Sequence, residues 1–138
     1  MILHREARTL PARGRGLYRL DAELADVIAR SRVRRGLCSV FVQHTSASLV
    51  IQENADPAVQ RDLERGLARL VPETFDWEHD DEGPDDMPSH LRAALTHTSE
   101  TVPVEDGRLS LGTWQGVYLW EHRDRPHPRT LVVTVIGE

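Results

Sequence analysis

The sequence lacks what would carry it into or across a membrane. No apolar run approaches the roughly 20 residues of a spanning helix. The start, Met1-Ile2-Leu3-His4-Arg5-Glu6, has no apolar signal-peptide region, so a cytoplasmic location is the expectation. Cysteine is nearly missing. Cys38 alone cannot form an internal disulfide, and on an apolar strand it reads as a small buried hydrophobe rather than a nucleophile. Positive charge is short as well: the formal net charge of -5 argues against a general nucleic-acid binder. The basic run Arg30-Ser31-Arg32-Val33-Arg34-Arg35 falls at the end of an expected helix, where cations complement the dipole, and it reads as solvated surface. At 138 residues the chain is too short for a (β/α)₈ barrel but long enough for one real core.

What is present alternates. Strands are expected over 2–10 and 14–20, then a helix over 21–34 with Asp21 as its N-cap and Leu24, Val27 and Ile28 on one face. Gly36 ends that helix. Strands follow over 37–43, where Cys38, Val40, Val42 and His44 share a face, and over 48–53. Asp56-Pro57 signals a second helix, an N-cap followed by proline at the first helical position. Its buried stripe is Val59, Leu63, Leu67 and Leu70, with Arg61, Glu64, Arg65 and Arg69 outward. Pro72 closes it, and 73–88 is a long loop of the kind that carries function. Ser89 is expected to cap a short helix packing Leu91, Ala94 and Leu95. The remainder reads as strands: a hairpin over 101–105 and 108–111 turned by Asp106-Gly107, then 114–122 and 130–136. This order predicts an α+β fold, a mostly antiparallel β-sheet with two to three helices, in a single domain.

The polar residues that need an explanation begin at His44-Thr45-Ser46-Ala47-Ser48-Leu49, an imidazole and three hydroxyls beside an apolar strand. Burying such groups is costly unless a ligand, a metal or a tight turn satisfies them. Between Asp76 and Asp86 lies an acidic stretch, Asp76, Glu78, His79, Asp80, Asp81, Glu82, Asp85 and Asp86, most of it expected to be solvated. His79-Asp80 differs, because an imidazole beside a carboxylate binds metals or moves protons. With His44 and His90 it would make a three-histidine site, although the spacing matches no short metal motif. His90 reads equally as first-turn polarity or as a ligand. Asp56 reads as a cap rather than a catalytic acid, and Asn54 as a ligand contact or a turn former. Trp114 can stack on an aromatic ligand or simply pack, and Glu121 shares the face of Gln115, so the two are expected to line one site. His4, His97, His122 and His127 have no comparable neighbourhood.

Taken together these segments resemble the YjbQ family, associated with secondary thiamine-phosphate synthase activity. The carriers are His44-Thr45-Ser46-Ala47-Ser48-Leu49, Glu53-Asn54 with Asp56, Asp62-Leu63, His79-Asp80 and Ser89-His90-Leu91. They continue with Pro103-Val104, Gly107, Leu111-Gly112-Thr113-Trp114-Gln115 and Glu121. The resemblance implies an α+β subunit in a homotrimer whose sheets pack about a threefold axis, and a pocket gathering His44, His79 and His90 near a subunit boundary. It implies the joining of a pyrimidine-methyl pyrophosphate to a thiazole phosphate with release of pyrophosphate. For that chemistry His44, Thr45, Ser46 and Ser48 are expected at phosphate groups. His79, His90 and His44 are expected at a divalent metal, Mg²⁺ or Zn²⁺, with Asp80 orienting an imidazole or holding the cation. Trp114 and Gln115, with Asn54 and Glu121, are expected to hold the small phosphorylated substrate. The chain departs from the family pattern at Asp81-Glu82-Gly83-Pro84-Asp85-Asp86-Met87-Pro88. Two other chemistries fit the same residues: a metal-dependent phosphate-ester hydrolase, and a non-catalytic binder of an anionic metabolite.

Overall fold

Period-two alternation builds the larger sheet. Along the strand that ends the described chain, Leu131, Val133 and Val135 are buried while the residues between them face outward, as a half-covered strand requires. The computed structural model describes residues 1–138. Its elements are β1 (Ile2–Arg13), β2 (Gly16–Arg19), α1 (Asp21–Ser31), β3 (Gly36–Val42), β4 (Ala47–Glu53), α2 (Pro57–Leu70) and α3 (Asp86–Leu95). β5 (Ser99–Glu105), β6 (Arg108–Leu109), β7 (Gln115–Glu121) and β8 (His127–Gly137) complete the chain. One sheet runs β1-β8-β3-β5-β6 and the other β2-β7-β4. Every strand pair is antiparallel, so the fold is α+β as expected, with three helices. No helix is long and apolar enough to cross a membrane.

The core lies between the two sheets and α1, where Leu24, Val27 and Ile28 meet Cys38, Val40, Leu119, Leu131 and Val133. Burial pushes the Cys38 thiol up to about 11, which leaves it an inert hydrophobe. The other face of the five-stranded sheet is uncovered. Leu3, Ile136 and Leu37 sit side by side across β1, β8 and β3, all exposed, and Phe41 extends the patch.

Three helix boundaries differ from expectation. The first helix stops at Ser31, before Gly36. Its Ser31 hydroxyl donates to Ile28 O (2.6 Å) and accepts from Val33 N–H (3.1 Å), closing the turn, and Arg32 takes a left-handed φ of 64°. Asp21 lies inside that helix rather than capping it, its carboxylate accepting Val117 N–H (2.8 Å) from β7. In α2 the Asp56 cap is present, accepting Ala58 N–H (2.9 Å). Leu70, however, is 76% exposed, and Val71 just beyond the helix takes its buried place. Glu64, expected outward, turns in. The third helix begins at Asp86, not at Ser89, and its inward face is Asp86, Pro88, Ser89 and Arg92, while Leu95 is exposed. A buried stripe made of polar residues misleads a hydrophobic template.

Candidate functional site

The loop after α2 folds back so that His79 meets the first turn of α3. Asp86 is buried there, and its Oδ2 lies 2.6 Å from His79 Nε2 and 3.2 Å from His90 Nε2. His90 follows Asp86 by four residues, so one turn of helix sets both on the same side. The two imidazole rings are 5.5 Å apart, and the three donor atoms lie within 4.8 Å of one another. Arg123, just past β7, grips this turn. Its Nε donates to Asp85 Oδ2 (3.0 Å), its Nη2 to the Glu82 carbonyl (3.0 Å) and its Nη1 to Asp86 Oδ1. Burial pushes the Asp86 carboxyl up, but the His79 hydrogen bond and the Arg123 charge overcome it and hold the group below its ordinary value. Asp85 is lowered in the same way, burial being outweighed by the Asp124 N–H and by Arg123. The bond to Asp86 in turn raises His79.

His44 stands next to Thr45, whose carbonyl holds His90. Past the end of β3 its Nε2 accepts the Thr130 N–H (2.8 Å), so the neutral ring carries its proton on Nδ1. Burial first, then the charge of Arg129, pushes His44 below its ordinary value and keeps it neutral. His44, Thr45 and His90 border one open depression of about 460 Å³ together with Phe41 and Ala93. Beneath it Arg129, buried, donates to both carboxylate oxygens of Glu121 and to Ser46 Oγ (2.9 Å).

These contacts sort the expected residues. His79 and His90 come together; His44 does not join them as a metal ligand, because its Nε2 is spent on Thr130 and its ring faces the neighbouring depression. Asp80 lies exposed on the loop, and Asp86 takes the position expected of it. Ser48 is fully buried, its Oγ 2.8 Å from His122 Nε2 and 2.6 Å from Thr96 Oγ1, which leaves no surface for a substrate. That chain continues to the Arg92 carbonyl (2.8 Å), while the Arg92 side chain bonds Glu64 (2.6 Å), locking α3 and therefore His90 in place. Asn54, Trp114 and Gln115 form a separate cluster. Asn54 Nδ2 donates to the carbonyls of Thr113 (3.1 Å) and Gln115 (3.0 Å), and Gln115 Oε1 accepts Gly112 N–H (2.7 Å), so both shape a loop. Trp114 is 65% exposed above it. In register Glu121 pairs with Ala47 and Gln115 with Glu53. Glu121 and Gln115 thus stand at opposite ends of β7, roughly 20 Å apart at strand spacing. Glu121 is Arg129's buried partner, not a companion of Gln115. The residues missed were Asp86, Arg123 and Arg129. Only the first had a signal, the Asp86-to-His90 spacing of one helical turn.

The donor set fits a divalent metal. His90 Nδ1 lies 2.8 Å from the Thr45 carbonyl, which can only accept, so Nδ1 carries the proton. A neutral ring then turns a bare Nε2 lone pair toward Asp86 Oδ2, acceptor against acceptor. A proton or a cation between them removes the conflict, and a ring held by Nδ1–H on a backbone carbonyl is how metal-bound histidines are commonly oriented. Two imidazole nitrogens and one carboxylate oxygen suit Zn²⁺ and its transition-metal neighbours better than Mg²⁺, which prefers oxygen throughout.

Comparison with known proteins gives one answer. The family model described as UPF0047 protein YjbQ-like matches residues 6–138. The UPF0047 protein sll1880 of Synechocystis sp. is 54% identical over 98% of this chain and 92% of its own length. The UPF0047 protein YjbQ of Escherichia coli O157:H7 is 43% identical over 98% of this chain and 99% of its own. Among solved structures, an uncharacterized conserved protein of the yjbq/upf0047 family from Clostridium acetobutylicum superposes with a TM-score of 0.87. It is 32% identical, with 95% of this chain and 99% of that one covered.

Proposed function

The chain belongs to the YjbQ-like UPF0047 family, and on that footing we propose that it is a metal-assisted transferase acting on small phosphorylated substrates. The reaction is that of a secondary thiamine-phosphate synthase: a pyrimidine-methyl pyrophosphate and a thiazole phosphate give thiamine phosphate and pyrophosphate. One observation carries the reading, the His90 ring pinned at Thr45 O so that its Nε2 and His79 Nε2 converge on one buried carboxylate. A divalent metal held by His79, Asp86 and His90 would supply positive charge for the departing pyrophosphate. The chain's own groups do the rest. His44, with Nε2 fixed by Thr130, presents Nδ1–H to a phosphate oxygen, and the Thr45 hydroxyl beside it can donate to the same group. Arg123 keeps Asp86 ionised and oriented. Three copies packing through the uncovered face of the larger sheet form the proposed homotrimer, with Phe41 bridging that face and the His44–His90 depression.

The test is thiamine-phosphate formation by protein supplied with Zn²⁺ or Mg²⁺, beside His90→Ala at matched folding. Turnover by the parent and a loss of about 100-fold in the variant is expected, with weakened Zn²⁺ binding by calorimetry. An equally active His90→Ala overturns the assignment. The openness of His79, whose side chain is 41% exposed, favours hydrolysis as the second reading, since water reaches the donor set. Phosphate released from an ester with no joined product selects it. Thermal stabilisation by phosphorylated ligands without turnover selects a non-catalytic binder.

A further inference from the structure

The loop that delivers His79 carries two aromatic rings that neither the metal donors nor the phosphate contacts use. Phe75 and Trp77 pack against each other with centroids 4.5 Å apart and planes tilted by 47°. Phe75 is 61% exposed, and the indole is fixed by its Nε1–H donating to the Pro72 carbonyl (3.3 Å). Trp77, His79 and Met87 border a depression of about 650 Å³, a volume in the range of small-molecule sites. Phe75 borders the adjoining hollow, which shares Trp77 and His79 with the first. An exposed phenyl beside a half-buried indole on a loop is poor packing but good recognition surface. Their faces carry partial negative charge, and they stand beside Asp76, Glu78 and Asp80, none of which has an arginine or histidine within 4.0 Å. An anion finds no arginine there and only His79 at the edge; an organic cation finds both ring faces and carboxylates.

We propose that the Phe75–Trp77 hollow binds the positively charged organic end of a ligand whose phosphate end lies at the His79–Asp86–His90 centre. The ligand class is a phosphate ester bearing a heteroaromatic cation or a quaternary ammonium, the class to which a thiazolium phosphate belongs. His79 belongs to both parts, which sets the two ends of such a ligand next to each other. The inference rests on the reading of the centre as a phosphate site and adds what the other end of the ligand must be, the thiazolium being the ring as it stands in the joined product.

The experiment compares two probes of one shape: phosphocholine and 3,3-dimethylbutyl phosphate, which differ in a quaternary nitrogen against a carbon. Each is titrated by calorimetry into the Zn²⁺-supplied protein and into the Phe75→Leu/Trp77→Leu double variant. The expected result is about fivefold or more preference for the cationic ester, falling to none in the variant while the neutral ester binds as before. Equal affinities in the parent, or a preference that survives in the variant, overturns the inference and leaves the phosphate reading in place. If His90→Ala binds the neutral ester as well as the parent does, the phosphate reading fails instead. Choline against 3,3-dimethylbutanol then decides the hollow alone: a cation preference that disappears in the double variant supports it, and no preference overturns it.

Discussion

At the scale of single residues, His122 sets the clearest expectation. Its ring is fully buried, 5.5 Å from that of Trp120, with Nε2 on Ser48 and Nδ1 without a partner. Burial above all, then the charges of Arg92, Arg15 and Arg129, pushes it down to about 3. The unfolded chain binds that proton near the ordinary value of about 6.5. Between those values the unfolded state is the more protonated, so this residue's contribution to stability falls as pH drops through the window, by about 1.4 kcal/mol per unit. Above it the contribution is constant. Urea melts between about pH 6 and pH 4.5 should show a slope shallower by nearly one proton in His122→Asn; equal slopes would mean that His122 titrates as if exposed. The same residue shows where sequence reading stopped. His44 and His90 are visible because short motifs surround them, whereas His122 has no local mark, its one partner Ser48 lying on β4 and itself bonded to Thr96 at the end of α3. Asp80 adjoins His79 in the chain, whereas Asp86 adjoins it in space through the fold-back of the loop.

At the scale of elements, legibility followed chemistry. α2 announced itself by its cap and proline, and the Asp56 side chain does accept a backbone N–H. Asp56→Ala should therefore cost about 1 kcal/mol in denaturant unfolding, while Leu70→Ala, exposed past the expected stripe, should change it by less than about 0.5 kcal/mol. The reverse order would mean that the apolar pattern, not the cap, holds the helix. α3 hid its start because its buried side is polar. Ser89 Oγ–H donates to the Asp86 carbonyl (2.5 Å), and Arg92 is spent on Glu64, so the residues that face inward are those a hydrophobic count puts outward. Strands alternating on one face were read well for the same reason in reverse: burial there is apolar and follows period two.

For the whole molecule, the antiparallel α+β class was readable from alternation and turns, but the placement of strands was not, since register between distant segments leaves no mark in either. The uncovered row of Leu3, Ile136 and Leu37 is the surface on which the proposed trimer depends. Sedimentation should give a trimer for the parent and a folded monomer for Leu37→Glu, an exposed position whose change leaves the core alone. A monomeric parent would end the proposal. The strand order carries one more consequence. β8 lies between β1 and β3, and about 125 residues separate the first residue of β1 from the first of β8. At a ribosome's pace of about 5–20 residues per second, β1 waits roughly 6–25 s for the neighbour that will hold it. Until then β1 and β3 present open edges to their surroundings or to any chaperone at hand, and the larger sheet closes only once synthesis has delivered its middle.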